Sequence, residues 1–519
     1  MKELLSHSAK VFQKEAIVVP EEKHPEFVVS YEQFQREVEK ISQSLLNSGI
    51  SKGDVISMVL PNNYSYLALF FAVVSIRAII SPLNPAYKLS DYLYYLKDTS
   101  SKAIILPDDI PRNDDSIEAA AQLKIPVWFV KDGQSVELDT GSLGSAGNIN
   151  PGSVNPEPSD IALLLHTSGT TSLPKGVPLT HLNLTTNIKN ISQTYDLSSK
   201  DITIIVMPLF HVHGLLGATF STLLTGGTIV LPLRFSATTF WPQVKQYQVT
   251  WYTAVPTIHQ ILLLRALSKD QTTHDPPPIS PGQLRFIRSC SSSLAPIIYQ
   301  QLVNWLGVPV LEAYAMTEAS HQMASNPLPI RGIAKVGSVG RATNIELTIR
   351  DLKEDISLES TQKGEICIRG ANVTPGYWNR PDANASTFTP TGWFRTGDEG
   401  YLDADGYLFI TGRIKELINR GGEKISPLEL DGVLLSHPKV KDAVAFAAPD
   451  EKYGEQVNCA VTVKEGETVT EKDIMDYVAS KLSTFKVPTK VFICTEFPRT
   501  ATGKIQRRIV AEFFLKPKV

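Results

Sequence analysis

A run of hydroxyl and glycine residues ending in one lysine is the segment of this chain with the most specific chemistry. Residues 167–176 read Thr-Ser-Gly-Thr-Thr-Ser-Leu-Pro-Lys-Gly, just after an apolar segment at 161–165. Glycine lets backbone N–H groups approach anionic oxygens closely, while the hydroxyls and Lys175 add donors and positive charge. The Lys175-Gly176 order differs from the Gly-Lys-Ser/Thr ending of a Walker A loop. The run predicts a polyphosphate-binding loop at a strand end, with a solvated linker as the alternative.

Five further segments combine acidic, basic, aromatic and glycine residues. Three read Met-Pro-Leu-Phe-His-Val-His-Gly at 207–214, Tyr-Ala-Met-Thr-Glu at 314–318 and Gly-Trp-Phe-Arg-Thr-Gly-Asp at 392–398. The others are a Gly-, Lys- and Glu-rich segment at 412–429 and Pro-Arg-Thr-Ala-Thr-Gly-Lys at 498–504. Lysine and arginine side chains and backbone N–H groups can stabilise the charge of an anionic substrate. Glu318 has the oxygen ligands that a hard cation prefers, and Asp398 can accept hydroxyl donors.

The composition places these motifs in an ordinary globular chain. Its 519 residues are 42% hydrophobic and 20% charged, enough for two or three domains with sizeable cores. A net charge of -3 gives no electrostatic reason to expect nucleic acid or an anionic membrane as partner. The four cysteines lack metal-binding spacing, which predicts unpaired thiols in a reducing compartment.

Helical and strand-like segments alternate over residues 30–245. An amphipathic helix is predicted at 31–46 and an apolar helix at 65–76, with strands at 55–60 and 103–106. This alternation predicts a parallel sheet with helices on both faces. From residue 364, short alternating strands at 365–369 and 407–410 predict an antiparallel sheet. The tail, with a helix capped by Thr470 and ending near Leu482, is interpreted as a further domain.

Taken together and in order, the six segments resemble the adenylate-forming superfamily of acyl-CoA synthetases, peptide-synthetase adenylation domains and luciferases. The resemblance covers nearly the whole chain. It implies an α/β fold with a large N-terminal domain of parallel α/β sheets plus a distorted antiparallel β-barrel, and a small mobile C-terminal α+β domain. The implied boundaries are 1–412 for the N-terminal adenylation domain, 413–415 for the hinge and 416–519 for the C-terminal domain.

The resemblance also implies how Mg²⁺ and ATP bind. The loop would hold the β- and γ-phosphates, Glu318 the Mg²⁺ and Thr317 the α-phosphate, while Tyr314 stacks on adenine and Asp398 accepts the ribose hydroxyls. The implied nucleotide-binding residues are Thr167, Ser168, Gly169, Thr170, Thr171, Lys175, Glu312, Ala313, Tyr314, Thr317, Asp398, Arg413 and Lys504. The implied catalytic residues are Lys504, Glu318, Thr317 and His211, of which His211 gates the acyl pocket.

A second half reaction with coenzyme A (CoA) is implied as well. In such enzymes the small domain turns about a residue at the position of Lys415 and opens a pantetheine tunnel. Gly421, Gly422 and Glu423 would line this tunnel, since glycine permits close backbone approach.

The predicted acid pocket departs from that of fatty-acyl or aryl relatives, whose floor is glycine, alanine and apolar side chains. Here residues 288–296 read Arg-Ser-Cys-Ser-Ser-Ser-Leu-Ala-Pro, and Ala-Ser-His follows Glu318. Hydrogen-bond donors at these places suit a small diacid whose second carboxylate must be paired. The substrate-binding candidates are Ser291, Ser292, His321 and His213. Alternatively, the serines only cap the following helix.

Four segments, at 235–242, 251–260, 288–291 and 421–427, closely resemble the oxalate-CoA ligases of plants and fungi, which begin CoA-dependent oxalate degradation. The resemblance implies conversion of oxalate, ATP and CoA to oxalyl-CoA, AMP and diphosphate. A CoA ligase for another small, medium-chain or aromatic acid is one alternative. A non-catalytic scaffold is another, and the presence of Glu318, Asp398, Lys415 and Lys504 argues against it.

We expect small molecules as the partners and a monomer or weak homodimer as the oligomeric state. The N-terminus lacks the features of signal and transit peptides, and the C-terminus does not read Ser-Lys-Leu. A cytoplasmic protein is therefore expected, and a peroxisomal one that uses another signal is the alternative.

Overall fold

A computed structural model describes residues 13–22, 24–140, 154–167, 174–266, 276–277, 279–351, 354, 356–498 and 505–515. The strands in these ranges form four sheets, two large and two small. None of the helices in the same ranges has both the length and the apolar character needed to cross a membrane. The cysteines form no disulfide among the described residues, which agrees with the prediction from their spacing.

The first large sheet has seven strands in the order β7-β6-β5-β3-β4-β8-β9. Five strands are parallel, while β7 and β9 are antiparallel edges. The strands are β3 (Val55–Met58), β4 (Ile79–Pro82), β5 (Ala103–Pro107), β6 (Val127–Lys131), β7 (Glu137–Asp139), β8 (Ile161–Thr167) and β9 (Lys175–Thr180). The predicted strands at 55–60 and 103–106 are confirmed.

The second large sheet has nine strands in the order β16-β15-β14-β13-β12-β10-β11-β1-β2. Its six central strands are parallel, and antiparallel strands flank them. The strands are β1 (Glu15–Val19), β2 (Phe27–Ser30), β10 (Ile202–Ile204), β11 (Thr228–Val230), β12 (Trp251–Ala254), β13 (Phe286–Ser289), β14 (Val310–Met316), β15 (His321–Ser325) and β16 (Arg341–Ala342). Parallel strand ends meet at one edge of a sheet, so β12, β13 and β14 bring distant loops together.

Helices pack on both large sheets. They are α1 (Tyr31–Asn47), α2 (Tyr64–Ser75), α3 (Leu89–Thr99), α4 (Asp115–Leu123), α5 (His181–Thr194), α6 (Val212–Gly214), α7 (Ser221–Leu224), α8 (Phe240–Gln246), α9 (Pro256–Ala266) and α10 (Pro296–Leu306). The predicted helices at 31–46 and 65–76 are confirmed as α1 and α2. A capping box of Ser30 and Gln33 begins α1. A π-helical turn, Leu215–Phe220, separates α6 from α7, and Phe220 packs against Phe70 and Phe71 of the buried α2.

The predicted antiparallel sheet is present as four strands, β17 (Glu346–Arg350), β18 (Gly364–Arg369), β19 (Phe394–Leu402) and β20 (Leu408–Arg413). Helix α11 (Pro381–Thr387) lies between β18 and β19 in the chain. Within the described ranges this sheet is open, with β17 and β20 at its edges. Closure into a distorted barrel stays a prediction.

The C-terminal part has a sheet and a core of its own. Its strands are β21 (Ile418–Arg420), β22 (Glu423–Ile425), β23 (Val440–Asp450), β24 (Gly454–Val463) and β25 (Lys490–Cys494). Its helices are α12 (Pro427–Leu435), α13 (Glu471–Ala479) and α14 (Arg507–Leu515). Thr470 caps α13 as predicted, and the helix ends three residues before Leu482. Ile418, Leu430, Val457 and Ile474 belong to one buried cluster. The boundary and the hinge at 413–415 stay predictions.

Candidate active site

The polar run predicted to bind phosphate lies between two antiparallel strands. Thr167 is the last residue of β8 and pairs directly with Lys175, the first residue of β9. Ser168, Gly169, Thr170 and Thr171 lie outside the described residues. The prediction that the run starts where an apolar strand ends is confirmed.

A partly buried cluster holds the two ends of this run. His166 Nε2 lies 3.0 Å from the carboxylate of Asp98 in α3, and Arg380 donates to the other oxygen of Asp98 at 2.6 Å. The Tyr94 hydroxyl, also in α3, donates to the carbonyl oxygen of Pro174 at 2.6 Å. Burial lowers the pKa of His166, and its contact with Asp98 opposes this shift. The cluster fixes the backbone on either side of the run and was not predicted.

Tyr377 connects the lysine of the run to the predicted Mg²⁺ ligand. Its hydroxyl donates to the Glu318 carboxylate at 2.9 Å, and the Lys175 ammonium lies 4.5 Å from its ring centroid. Backbone hydrogen bonds place it, because Trp378 donates to Gly176 and Thr374 donates to Glu318. The sequence reasoning missed Tyr377. The available signal was Gly376-Tyr377-Trp378, an aromatic pair after a glycine in a loop that follows a predicted strand.

Glu318 lies in a 3₁₀ turn, Thr317–Ala319, directly after β14. Its side chain is buried, and burial raises the pKa of its carboxyl group. The Tyr377 hydrogen bond and the charge of Arg413 lower this pKa, while the charge of Asp398 raises it. Glu318 therefore interacts electrostatically with Asp398 and Arg413, two of the residues predicted to bind the nucleotide. Thr317 is the first residue of the same turn.

Tyr314, Asp398 and Arg413 form one hydrogen-bonded group. Asp398 in β19 pairs with Arg413 in β20, and the Nε of Arg413 is 3.4 Å from one oxygen of Asp398. The Tyr314 hydroxyl of β14 donates to the other oxygen. Gly397, at φ 74°, makes the bend in β19 before Asp398. The structure therefore brings together three residues that lie up to 99 positions apart in the sequence.

Glu312 precedes Ala313 and Tyr314 in β14 and is almost fully buried. Burial raises its pKa to about 8, although the backbone N–H groups of Gly337 and Leu294 lower it. One carboxyl oxygen, Oε1, has no hydrogen-bond partner among the described residues. Glu312 is therefore a neutral acid at pH 7 rather than an anion.

The predicted acid-binding residues meet beside β12, β13 and β15. The Ser291 hydroxyl lies 3.0 Å from Nδ1 of His213, and Nε2 of His213 lies 2.7 Å from the Thr253 hydroxyl. The imidazole of His321 stacks on that of His213, with centroids 5.2 Å apart. Ser292 is exposed beside them. His211 begins α6 and accepts a hydrogen bond from the backbone N–H of His213.

Burial keeps the stacked histidines neutral. It lowers the pKa of His213 and of His321 well below the ordinary value, and the charge of Arg288 acts in the same direction. Nε2 of His321 has no hydrogen-bond partner among the described residues. It faces the backbone of Gly217 in the π-helical turn, where an added Cβ would lie 2.5 Å from this nitrogen. Glycine at 217 thus makes room for the ring.

Three residues at this acid site have a strained backbone. Ser291 has φ 74°, Ser320 has φ 57° and His321 has φ 125°, all in the region that non-glycine residues avoid. The alternative that the serines cap the following helix is wrong, because the N-cap of α10 is Ala295 and no side chain caps it. The Ser291 hydroxyl contacts His213 instead.

Arg288 is the residue of this site that the sequence reasoning missed. It lies in β13 and is fully buried. The prediction from this segment considered only its serines. Its guanidinium donates to the hydroxyls of Tyr195 and Thr253 and to the side-chain oxygen of Gln322, at 2.7, 3.1 and 3.1 Å. The available signal was a charged residue inside an apolar strand between Ile287 and Ser289.

The predicted CoA and hinge residues lie where the chain enters its C-terminal part. Lys415 is in a 3₁₀ turn, Ile414–Glu416, that follows β20. Gly421 and Gly422 connect β21 to β22 with φ 61° and 97°, the values of a type I′ hairpin turn that glycine favours. Glu423 begins β22. Lys504 lies outside the described residues.

Two family models match this chain over most of its length. Residues 5–378 match the model of the AMP-binding enzyme family, and residues 429–504 match that of the AMP-binding enzyme C-terminal domain. The chain belongs to this family.

Three curated relatives are similar over most of their length. The oxalate-CoA ligase of Arabidopsis thaliana is 52% identical, with 92% of this chain and 91% of the relative covered. A probable CoA ligase of Humulus lupulus, CCL9, is 50% identical, with 94% and 92% covered. The oxalate-CoA ligase of Saccharomyces cerevisiae is 43% identical, with 91% and 89% covered.

Solved structures share the fold over nearly the whole chain. ATP-bound MatB from Rhodopseudomonas palustris matches with a TM-score of 0.87 at 26% identity, covering 99% of both chains. Apo MatB of the same organism gives 0.77. The o-succinylbenzoate CoA synthetase MenE from Bacillus subtilis, in complex with its acyl-adenylate, gives 0.82 at 26% identity, covering 97% and 96%. These matches confirm the predicted α/β fold and its C-terminal part.

Proposed function

We propose that this protein is an AMP-forming acid-CoA ligase that converts oxalate, ATP and CoA to oxalyl-CoA, AMP and diphosphate. The observation that carries the proposal is the acid site, in which a serine, two neutral histidines and a buried arginine stand where a hydrocarbon chain would require apolar side chains. The relatives from Arabidopsis thaliana and Saccharomyces cerevisiae that bear the name oxalate-CoA ligase support the same substrate.

The nucleotide would be held by residues from three sheets. Thr167, Lys175 and the run between them bind the β- and γ-phosphates, and Thr317 contacts the α-phosphate. Tyr314 stacks on the adenine ring and Asp398 accepts hydrogen bonds from the ribose hydroxyls. Because Arg413 already neutralises Asp398, this carboxylate can lie near the phosphates with little repulsion.

The residues near the phosphates fit a Mg²⁺ ion. Mg²⁺ takes one or two carboxylates together with substrate phosphates. Glu318 is a buried carboxylate, and Tyr377 contacts both it and Lys175 of the predicted phosphate-binding run. The Tyr377 hydroxyl binds one oxygen of Glu318 and so orients the other. A bound Mg²⁺ would neutralise part of the charge of the substrate phosphates.

Adenylation joins the two sites. One carboxylate oxygen of oxalate attacks the α-phosphorus, the new O–P bond forms, and the bond to the diphosphate leaving group breaks. Lys175 and the backbone N–H groups of the loop stabilise the charge that develops on the leaving oxygens. Lys504 supplies a further cation near the attacking carboxylate and the α-phosphate. His211 would act as the gate of the acid site, as the family resemblance implies.

The second carboxylate of oxalate stays ionised while the first one reacts. A buried carboxylate without a partner costs several kcal/mol, so the site must supply donors. These donors are Ser291 and His321, because the Ser291 hydroxyl meets His213 and the His321 imidazole stacks on the same ring. Ser292 borders the same site.

Thioester formation uses a second arrangement of the C-terminal part. The CoA thiolate attacks the carbonyl carbon of oxalyl-AMP, the C–S bond forms, and AMP leaves as the C–O bond breaks. The chain turns at Lys415, and the Gly421-Gly422-Glu423 turn then lines the pantetheine path. The type I′ conformation of the glycines leaves a backbone surface without side chains for this purpose.

Product analysis tests the proposal. Purified protein with oxalate, Mg²⁺-ATP and CoA should give oxalyl-CoA, AMP and diphosphate in equal amounts, measured by mass spectrometry and enzymatic diphosphate detection. Formation of ADP and phosphate, or of no thioester, would rule the reaction out.

A further inference from the structure

Arg288 carries a charge that no carboxylate of the described residues neutralises. Its guanidinium donates to three neutral groups, on Tyr195, Thr253 and Gln322, and the side chain of Cys290 is a further contact. No carboxylate of the described residues lies within ion-pairing distance of its guanidinium. Burial raises the pKa of Tyr195, so this phenol does not act as the missing anion. An arginine stays charged in proteins, and a buried cation without an anion is costly.

The direction of the hydrogen bonds leads from Arg288 to the acid site. Because Thr253 accepts an N–H of Arg288, its own proton is directed to Nε2 of His213, 2.7 Å away. The neutral His213 must then carry its proton on Nδ1, where it donates to the Ser291 hydroxyl at 3.0 Å. The O–H of Ser291 is thereby turned toward an acceptor in the pocket. Reversing the tautomer would leave the Thr253 proton without an acceptor among these partners.

We propose that Arg288 is a positioning and specificity residue for the second carboxylate of the substrate. It supplies the positive potential that the anion requires, and through Thr253 and His213 it orients the Ser291 hydroxyl as a donor. Arg288 itself need not touch the substrate. The inference rests on the proposed function as far as oxalate is concerned, and it extends to any small diacid.

Oxamate isolates this effect, because it has the shape of oxalate with a neutral amide in place of one carboxylate. We expect wild type to prefer oxalate over oxamate by 100-fold or more in kcat/KM for diphosphate release. Arg288→Met should lower oxalate activity at least 100-fold while changing oxamate activity less than tenfold, so that the preference disappears. Arg331→Met, at an exposed arginine paired with Asp196, should leave the preference unchanged. An unchanged oxalate preference in Arg288→Met would overturn the proposal.

A second variant, Thr253→Val, removes the hydroxyl that connects Arg288 to His213 and keeps the charge of Arg288. Thr253→Val should lower the oxalate preference at least fivefold, and it serves as the test if Arg288→Met does not fold. In ¹⁵N spectra, wild-type His213 should show only the Nδ1–H tautomer, and Thr253→Val should show a mixture. The same tautomer and the same preference in both proteins would overturn the relay.

The two proposals fail in different ways. A wild-type protein that activates malonate and not oxalate contradicts the proposed substrate, and the pair of malonate and malonamate then tests Arg288 in the same manner. A wild-type protein that activates no diacid contradicts both. A wild-type preference for oxalate that survives in Arg288→Met contradicts the role of Arg288 alone.

Discussion

The Tyr377 hydroxyl donates to the Glu318 carboxylate at 2.9 Å, and this contact connects two loops that are 59 residues apart in the sequence. The same ring faces the Lys175 ammonium, 4.5 Å from its centroid. One aromatic residue therefore positions both the anion proposed to hold Mg²⁺ and the cation proposed to hold phosphate. Each of these charges is oriented before any ligand arrives, which lowers the reorganisation that binding requires.

Tyr377→Phe should weaken Mg²⁺-dependent adenylation. The variant keeps the ring under Lys175 and removes only the hydroxyl that orients Glu318. We expect kcat/KM for diphosphate release to fall about tenfold, which corresponds to about 1.4 kcal/mol for one hydrogen bond to a charged group. Titration with Mg²⁺ at fixed ATP gives the measurement. Tyr401→Phe, at a tyrosine stacked on Phe409, is the control; an equal loss there would contradict the assignment.

Glu312→Gln should change how stability depends on pH. The pKa of Glu312 is about 8 in the folded protein and near its ordinary 4.5 in the unfolded chain. Between these pKa values the native state binds one more proton than the unfolded chain. The stabilisation from this proton is complete below pH 4.5 and is lost as pH rises through 8. Wild type should therefore lose about 2 to 4 kcal/mol relative to the glutamine variant from pH 5 to 8. Urea unfolding at several pH values measures this, and a constant difference would contradict it.

Gly217→Ala should disturb the acid site and spare the nucleotide site. The new Cβ would lie 2.5 Å from Nε2 and 2.8 Å from Cδ2 of His321, closer than such contacts occur, so the imidazole must move. We expect kcat/KM for oxalate to fall at least tenfold with unchanged binding of Mg²⁺-ATP, which calorimetry measures. Gly432→Ala, in the helix α12 with nothing within 4 Å of the added atom, is the matched control. Normal activity of Gly217→Ala would show that the position of His321 is unimportant.

Lys415→Pro should separate the two half reactions. Proline fixes φ near -65°, so a residue that changes conformation between two arrangements is held in one of them. We expect diphosphate release to survive and CoA transfer to fall, measured as single-turnover thioester formation from oxalyl-AMP.

Lys504→Ala should show the opposite pattern, with adenylation lost by roughly 100- to 1,000-fold. An equal loss of both steps in both variants would contradict the proposed hinge at Lys415.

Local sequence patterns predicted the elements and the chemistry of their ends well. The apolar stretch that becomes β8, the amphipathic segment that becomes α1 and the Thr470-capped segment that becomes α13 follow from periodicity and capping, which act over a few residues. Candidates such as Asp398 and Glu318 were recognisable because their motifs resemble those of a known family. Their roles stay predictions.

Contacts between distant segments were beyond such reasoning. Tyr377 and Arg288 lie in segments of ordinary appearance, and only the folded chain places one beside Glu318 and the other beside Thr253. The space for His321 depends on Gly217 in a π-helical turn about 100 residues earlier, and no local pattern marks that pairing. The cluster of His166, Asp98 and Arg380 is missed for the same reason.

Acid specificity is the central claim, and the relative rates of diphosphate release from formate, oxalate, malonate, hexanoate and 4-coumarate test it most directly. The polar acid site should favour oxalate, because only a compact dianion matches both the donors and the lack of an apolar floor. We expect kcat/KM for oxalate to exceed that for hexanoate and 4-coumarate by at least 100-fold. Faster activation of hexanoate or 4-coumarate than of oxalate would contradict the account of the acid site and leave only the AMP-binding family assignment.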